Sequence, residues 1–85
     1  MNEQLVTEVL IILRNVLRLG SRVDTMNAST RLLGGLPEFD SMAVVSVIVA
    51  IEEHYGIAFE DDELDGETFG TVGSLVSLVE SKLGS

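Results

Sequence analysis

The sequence has no cysteine, no tryptophan and only one proline and one histidine in its 85 residues. Without cysteine, the chain can form neither a disulfide nor a Cys-based metal site, and any thiol chemistry needs an added group. Cations are scarce too: five Lys and Arg face fourteen Asp and Glu, a formal net charge of −9. This balance argues against binding to nucleic acid, whose phosphates would be repelled. It equally disfavours an anionic membrane surface.

Long apolar runs are also missing. The longest one, residues 42–51, is interrupted by Ser46 and falls well short of the roughly 20 residues that span a membrane. The start of the chain carries Asn2, Glu3 and Gln4 where a signal peptide has a basic segment, so we expect a cytoplasmic location. The 46% apolar composition is too high for a disordered acidic tail. We therefore expect one small domain over residues 1–85, present as a monomer.

Apolar residues at helical spacing predict three helices, over residues 3–19, 41–54 and 71–83. One stripe of the first helix consists of Leu5, Val9, Ile12 and Val16. The stripe of the last helix consists of Val72, Leu75, Val76, Val79 and Leu83.

Polar and glycine residues mark the ends of these helices. Asn2, Asp40 and Thr71 are the candidate N-caps, because their side chains can accept hydrogen bonds from the first free amides. Gly20 and Gly56 fit the position just after a helix, which often adopts a left-handed conformation.

The stretch from residue 20 to residue 40 shows no clear period. A structureless loop of this length is unusual in a compact domain, so it is either a functional segment or hides a short element. Its apolar residues could pin it to the core; they are Leu32, Leu33, Leu36 and Phe39. The acidic residues 60–67 have room for one helical turn, and no pair of strands with a hairpin signal is present. The predicted fold is an all-α bundle with three main helices, a short extra helix and a long first loop.

The second helix carries two apolar faces. At about 100° per residue, the core face consists of Val44, Val47, Ile48, Ile51 and Tyr55. Met42, Val45 and Val49, here called the apolar strip, lie well away from it. Ser41 and Glu52 flank the strip on one side, and Ser46 and Glu53 flank it on the other. An exposed apolar strip beside carboxylates predicts a docking surface for partner proteins. The alternative is that the long loop folds over it.

Three segments, which contain Asp40-Ser41-Met42, residues 51–57 and residues 69–75, together resemble the acyl carrier protein family. Residues 35–42 contain Asp40-Ser41-Met42, which is similar to the family's Asp-Ser-Leu attachment motif at the start of the second helix. Residues 51–57, Ile-Glu-Glu-His-Tyr-Gly-Ile, look like the end of that helix. Residues 69–75, Phe-Gly-Thr-Val-Gly-Ser-Leu, look like the start of the last helix. Together the matches extend over roughly residues 32–80 in the family's order.

The resemblance implies a carrier protein without catalytic activity of its own. Ser41 would carry a covalent 4′-phosphopantetheine arm, added by a phosphopantetheinyl transferase whose metal ion lies close to Asp40. Partner enzymes would be acyl-transfer, ligase or synthase enzymes with basic docking surfaces, meeting Met42, Val45, Val49, Glu52 and Glu53. The alternatives are a peptidyl carrier protein of the non-ribosomal type and an unmodified helical interaction module.

The sequence departs from the family pattern at Ala43 and Ser46, where carriers of fatty-acid synthesis usually have acids. This difference favours a dedicated pathway, such as polyketide synthesis, a modified lipid or acylation of a surface polymer, over central fatty-acid synthesis.

Two other candidate sites have weaker support. Residues 61–66 nearly match a calcium-binding EF-hand loop, but position 12 would be Val72 in place of a bidentate glutamate. We therefore predict no dedicated metal site. The segment is interpreted as a solvated acidic patch that repels wrong partners, and the alternative is weak attraction of divalent cations to its crowded carboxylates. His54, near the end of the second helix, has no partner for catalysis and is predicted to be structural.

Overall fold

Three α-helices and two short 3₁₀ helices form the regular structure of residues 2–84, which the computed structural model describes. They are α1 (Glu3–Leu17), a first 3₁₀ helix (Gly20–Thr25), α2 (Ser41–Tyr55), a second 3₁₀ helix (Asp61–Glu63) and α3 (Val72–Lys82). Within these residues there is no strand, only an isolated bridge between Arg31 and Thr71. The predicted all-α fold is confirmed. No helix in this part of the chain is long and apolar enough to cross a membrane.

The first helix ends two residues earlier than predicted. Arg18, and not Gly20, is the residue that ends the helix, in a left-handed conformation with φ of 56°. Gly20 is also left-handed, with φ of 59°, but it begins the first 3₁₀ helix. Leu19 then turns into the core, where it is buried, and its amide donates to the carbonyl of Arg14 over 3.1 Å. Burial of Leu19 therefore decides where α1 ends, although an arginine is a poor residue for this backbone conformation.

The core lies between the three α-helices and is entirely apolar among the described residues. α1 contributes Leu5, Val9, Ile12, Leu13 and Leu17, and α3 contributes Val72, Leu75, Val76 and Val79. From α2, Val47 and Ile51 are fully buried, whereas Val44, Ile48 and Tyr55 are half-buried against them. This confirms the core face predicted for the second helix.

The ends of the helices fix their directions. A small cleft is lined by residues from the start of α1 and from the ends of α2 and α3, including Leu5, Tyr55 and Leu83. The end of α1 and the starts of α2 and α3 therefore share the opposite end of the bundle. As a result, α1 runs antiparallel to α2 and α3.

The long loop is pinned along the start of α3. The amides of Val72 and Gly73, which have no partner inside their own helix, donate to the carbonyls of Thr30 and Ala28 over 2.9 and 2.8 Å. Leu32 and Phe39 are buried, as predicted, and Leu33 and Leu36 are half-buried. The element hidden in this stretch is the first 3₁₀ helix.

Candidate attachment site

Ser41 is the first residue of α2 and its side chain is exposed. Asp40 precedes the helix in an extended conformation, and its Oδ1 accepts a hydrogen bond of 2.9 Å from the amide of Ala43. The carbonyl of Asp40 accepts the first helical bond, from Val44. The predicted N-cap is thereby confirmed. A hydroxyl placed here reaches solvent next to the positive end of the helix dipole.

The residues just before Ser41 are held on two sides. Phe39 is buried, with its ring centroid 6.1 Å from that of Phe69. Glu38 forms an ion pair with Arg22 of the first 3₁₀ helix. Sequence reasoning missed this pair, since opposite charges 16 residues apart, both in the aperiodic stretch of residues 20–40, follow no spacing rule.

An open, mostly apolar cleft of about 470 Å³ lies beside Ser41. It runs between the start of α2 and residues 64–69, and its apolar lining comprises Leu33, Phe39, Val44, Leu64 and Phe69. Asp40, Ser41 and Asp65 form part of its polar boundary. A group attached to Ser41 therefore has both solvent and an apolar surface within reach.

The apolar strip is exposed along its length. The exposed fraction is 77% for Met42, 57% for Val45 and 44% for Val49. The long loop therefore does not fold over the strip, because it packs against α3. Three exposed apolar side chains in a row beside Ser41 form a patch with no structural role inside the described residues.

The two carboxylates beside the strip differ in their surroundings. Oε2 of Glu52 accepts a hydrogen bond of 2.8 Å from the amide of Phe59 and so holds the chain that follows α2. Glu53 is exposed and lies next to Val45 and Val49 along a shallow depression on α2. Of the two predicted steering residues, only Glu53 is free of such a backbone contact.

The acidic segment uses its carboxylates for local structure. Glu63 accepts from the amide of Glu60 over 2.7 Å and pairs with Lys82 over 3.0 Å, and both contacts lower its pKa, the backbone bond most. Asp65 accepts from the amide of Thr68, which lowers its pKa. Among the described residues, no three acidic or histidine side chains are arranged to hold a metal ion. Val72, at the twelfth EF-hand position, is fully buried.

His54 is exposed at the far end of α2 from Ser41. Its ring packs edge-on against Tyr55, with centroids 4.6 Å apart. The position gives it no contact with Ser41.

Comparisons with known proteins agree with this geometry. The family model for the phosphopantetheine attachment site matches residues 8–79. A solution NMR structure of a holo acyl carrier protein from Nitrosomonas europaea is 50% identical in sequence and has a TM-score of 0.88. That match covers 94% of this chain and 96% of the other. Among curated proteins, none matches this chain.

Proposed function

The chain belongs to the acyl carrier protein family, whose phosphopantetheine attachment model spans most of its length, and from this premise we propose that Ser41 carries the arm. The observation that carries the proposal is the exposure of Ser41 at the first position of α2, directly after the capping Asp40. In the attachment reaction, the Ser41 oxygen forms a bond to the β-phosphorus of coenzyme A. The phosphoanhydride bond breaks, adenosine 3′,5′-bisphosphate leaves, and a base of the transferase takes the hydroxyl proton.

The surroundings of Ser41 fit a phosphodiester. The hydroxyl stands in the first turn of α2, where the helix dipole favours a negative charge. The mostly apolar cleft beside it has room for an attached chain. Once bound, the arm supplies a terminal thiol that holds acyl groups as thioesters, which a chain without cysteine cannot do alone. Asp40 is exposed beside the serine, and we propose that it faces the metal ion of the transferase.

Residues 1–85 are proposed to act as one carrier domain that performs no reaction itself. It would deliver acyl groups to acyl-transfer, ligase or synthase enzymes, which would dock on the apolar strip next to the root of the arm. Exposure of Met42, Val45 and Val49 supports this docking surface. Glu53 is the better candidate for steering a basic partner, since Glu52 already accepts a backbone amide.

The pathway proposal rests on two neutral residues in the first turns of α2. Ala43 and Ser46 leave the start of the helix without acids, so enzymes that recognise acids there would bind weakly. We propose a dedicated acyl-transfer pathway in preference to central fatty-acid synthesis.

Modification at Ser41 is tested by incubating the protein with coenzyme A, magnesium and a broad-specificity transferase, followed by intact mass measurement. The mass should rise by one phosphopantetheine. Ser41→Ala should abolish the gain, whereas Ser46→Ala, which changes another exposed serine of α2, should leave it unchanged. A gain that survives in Ser41→Ala would refute the attachment site.

The pathway is tested in a reconstituted fatty-acid elongation system. The loaded chain should be a poor substrate there, and the double substitution Ala43→Glu with Ser46→Glu should improve it. Efficient elongation by the unmodified sequence would contradict the proposal of a dedicated pathway.

A further inference from the structure

An ion pair joins the first 3₁₀ helix to the loop that leads to Ser41. Nη2 of Arg22 donates to Oε2 of Glu38, which lies three positions before Ser41. The two residues are 16 positions apart, so their contact closes a large part of the long loop. It is located at the same end of the bundle as the start of α2.

Glu38 needs Arg22 as a partner for its charge. The second carboxylate oxygen of Glu38, Oε1, is shielded from solvent and has no hydrogen-bond partner among the described residues. The Glu38 side chain as a whole is 35% exposed, and a carboxylate that is partly withdrawn from water is less favourable without its cation. Loss of Arg22 would therefore favour conformations in which Glu38 moves outward into water.

An outward movement of Glu38 would displace Ser41 as well, because the backbone between the two residues is short and constrained. The amide of Asp40 donates to the carbonyl of Glu38 over 3.1 Å, and Asp40 in turn caps α2 through Ala43. Between them, Phe39 is anchored in the core. The backbone before Ser41 is thus held by Phe39 on the core side and by the ion pair on the solvent side.

Given the proposed attachment of the arm at Ser41, we infer that Arg22 and Glu38 are positioning residues for that reaction. Their ion pair keeps the loop in the conformation that presents the Ser41 hydroxyl to the transferase. Neither residue touches the reacting atoms in this role. When the pair is absent, the competent loop conformation is less populated, which raises the apparent KM for the carrier and leaves kcat unchanged.

The first test is amide hydrogen exchange on the unmodified protein, which does not depend on the modification. Arg22→Gln and Glu38→Gln should each speed exchange at Phe39 and Asp40, whose amides are hydrogen-bonded to the loop. Arg14→Gln is the matched control, because it removes one exposed cation from the last turn of α1. It should leave those amides unchanged. Unaltered exchange in both pair variants would overturn the inference.

The second test compares transferase kinetics with coenzyme A. Each single substitution should raise KM about two- to fivefold, the range expected for a partly exposed ion pair. The double Gln variant should be no worse than Arg22→Gln, and the charge swap Arg22→Glu with Glu38→Arg should recover most of the loss. Failure of the swap, together with a loss in Glu38→Gln alone, would mean that the transferase contacts Glu38 directly and would overturn the positioning role.

Failure of the positioning role can be distinguished from failure of the attachment site. The intact masses of the wild-type chain and of Ser41→Ala, each after incubation with the transferase, are measured first. If the wild type gains no arm, or Ser41→Ala still gains one, the proposed function fails. Hydrogen exchange then still decides whether Arg22 and Glu38 hold the loop.

Discussion

The phenolic hydroxyl of Tyr55 donates a hydrogen bond of 2.8 Å to Oε1 of Glu8, across 47 positions of the sequence. This contact joins the last residue of α2 to the middle of α1. Gln4 donates to the second oxygen of the same carboxylate over 3.1 Å. The contact fastens the end of the bundle that lies away from Ser41.

We expect Tyr55→Phe to lower the melting temperature by about 3–6 °C. The substitution keeps the ring and its packing but removes the donor, so a half-buried carboxylate loses one of its partners. Thermal unfolding followed by circular dichroism measures the change. Thr7→Val, which alters an exposed residue of α1, serves as the control. Equal melting temperatures for wild type and Tyr55→Phe would show that the bond contributes nothing.

The same pair predicts a pH dependence at both ends of the scale. The hydrogen bond from Tyr55 lowers the pKa of Glu8, whereas burial and then Glu8 raise the pKa of Tyr55. The contribution of Glu8 to folding stability is therefore complete above its unfolded pKa of about 4.3 and is lost as pH falls through the folded pKa. The contribution of Tyr55 to folding stability is complete below its unfolded pKa of about 10 and is lost as pH rises above that value toward the folded pKa. The stability difference between wild type and Tyr55→Phe should shrink at both extremes; a difference independent of pH would contradict this.

Arg18→Gly should stabilise the protein by about 0.5–1 kcal/mol. Arg18 holds a left-handed conformation with φ of 56°, and glycine adopts it without a steric penalty. Gly56 has the same conformation after α2, with φ of 65°, so Gly56→Ala should destabilise by a similar amount. Chemical denaturation of both variants measures the two effects. Stability changes of the opposite sign in these variants would mean that side-chain contacts outweigh the backbone preference for glycine.

How far the sequence predicted this structure depends on the range of the interactions involved. The N-caps Asp40 and Thr71 were predictable because a cap bonds to amides two or three residues ahead. The end of α1 was not, since burial of Leu19 placed an arginine in a conformation that favours glycine. Helix-capping preferences depend on neighbouring residues in the sequence and do not take that tertiary contact into account.

In the candidate site, too, features set by local spacing were predictable and features set by long-range contacts were not. The spacing of Met42, Val45 and Val49 predicted that the apolar strip lies away from the core face. Whether the long loop covers the strip was left open by the sequence, and the structure shows that it does not. The contact of Glu52 with the amide of Phe59 was hidden, because it depends on how the chain folds back after α2. The ion pair between Arg22 and Glu38 was hidden for the same reason.

Salt should stabilise the protein, and calcium should do so more than sodium at equal ionic strength. The net charge of −9 makes the folded chain repel itself, most strongly along residues 60–67. Lys82 of α3 pairs with Glu63 of that segment, but its single positive charge is far outnumbered by the acids of residues 60–67. Melting curves in calcium chloride and in matched sodium chloride test this. Curves that coincide would exclude any preferential attraction of divalent ions.

Glu52→Ala and Glu53→Ala should have different consequences, although the residues are adjacent. Glu52→Ala removes the acceptor of the Phe59 amide and should cost about 1 kcal/mol of stability. Glu53→Ala removes an exposed charge and should leave stability within about 0.5 kcal/mol. Its effect should instead be slower association with a basic partner, most visible at low salt. If both variants were equally stable and equally slow, the two carboxylates would share one steering role.

Val45→Asp and Val47→Asp provide the sharpest test of the docking surface, because they make the same change two residues apart on α2. Val45 is 57% exposed on the apolar strip, whereas Val47 is fully buried in the core. A carboxylate at position 45 remains hydrated, so the melting temperature should change by no more than about 2 °C. At position 47 the same carboxylate would be buried without a partner, and the domain should be largely unfolded.

If partners dock on the strip, Val45→Asp should still be loaded by the transferase and hold its acyl group. Transfer of that group to a partner enzyme should be at least about tenfold slower, because the loss of an apolar contact of more than about 1.4 kcal/mol has this effect. The conservative variant Val45→Ile should keep both stability and transfer. Measuring the melting temperature and the transfer rate on the same loaded samples separates folding from docking. Normal transfer by a well-folded Val45→Asp would show that partners bind elsewhere. A large loss of stability would show that residue 45 belongs to the core.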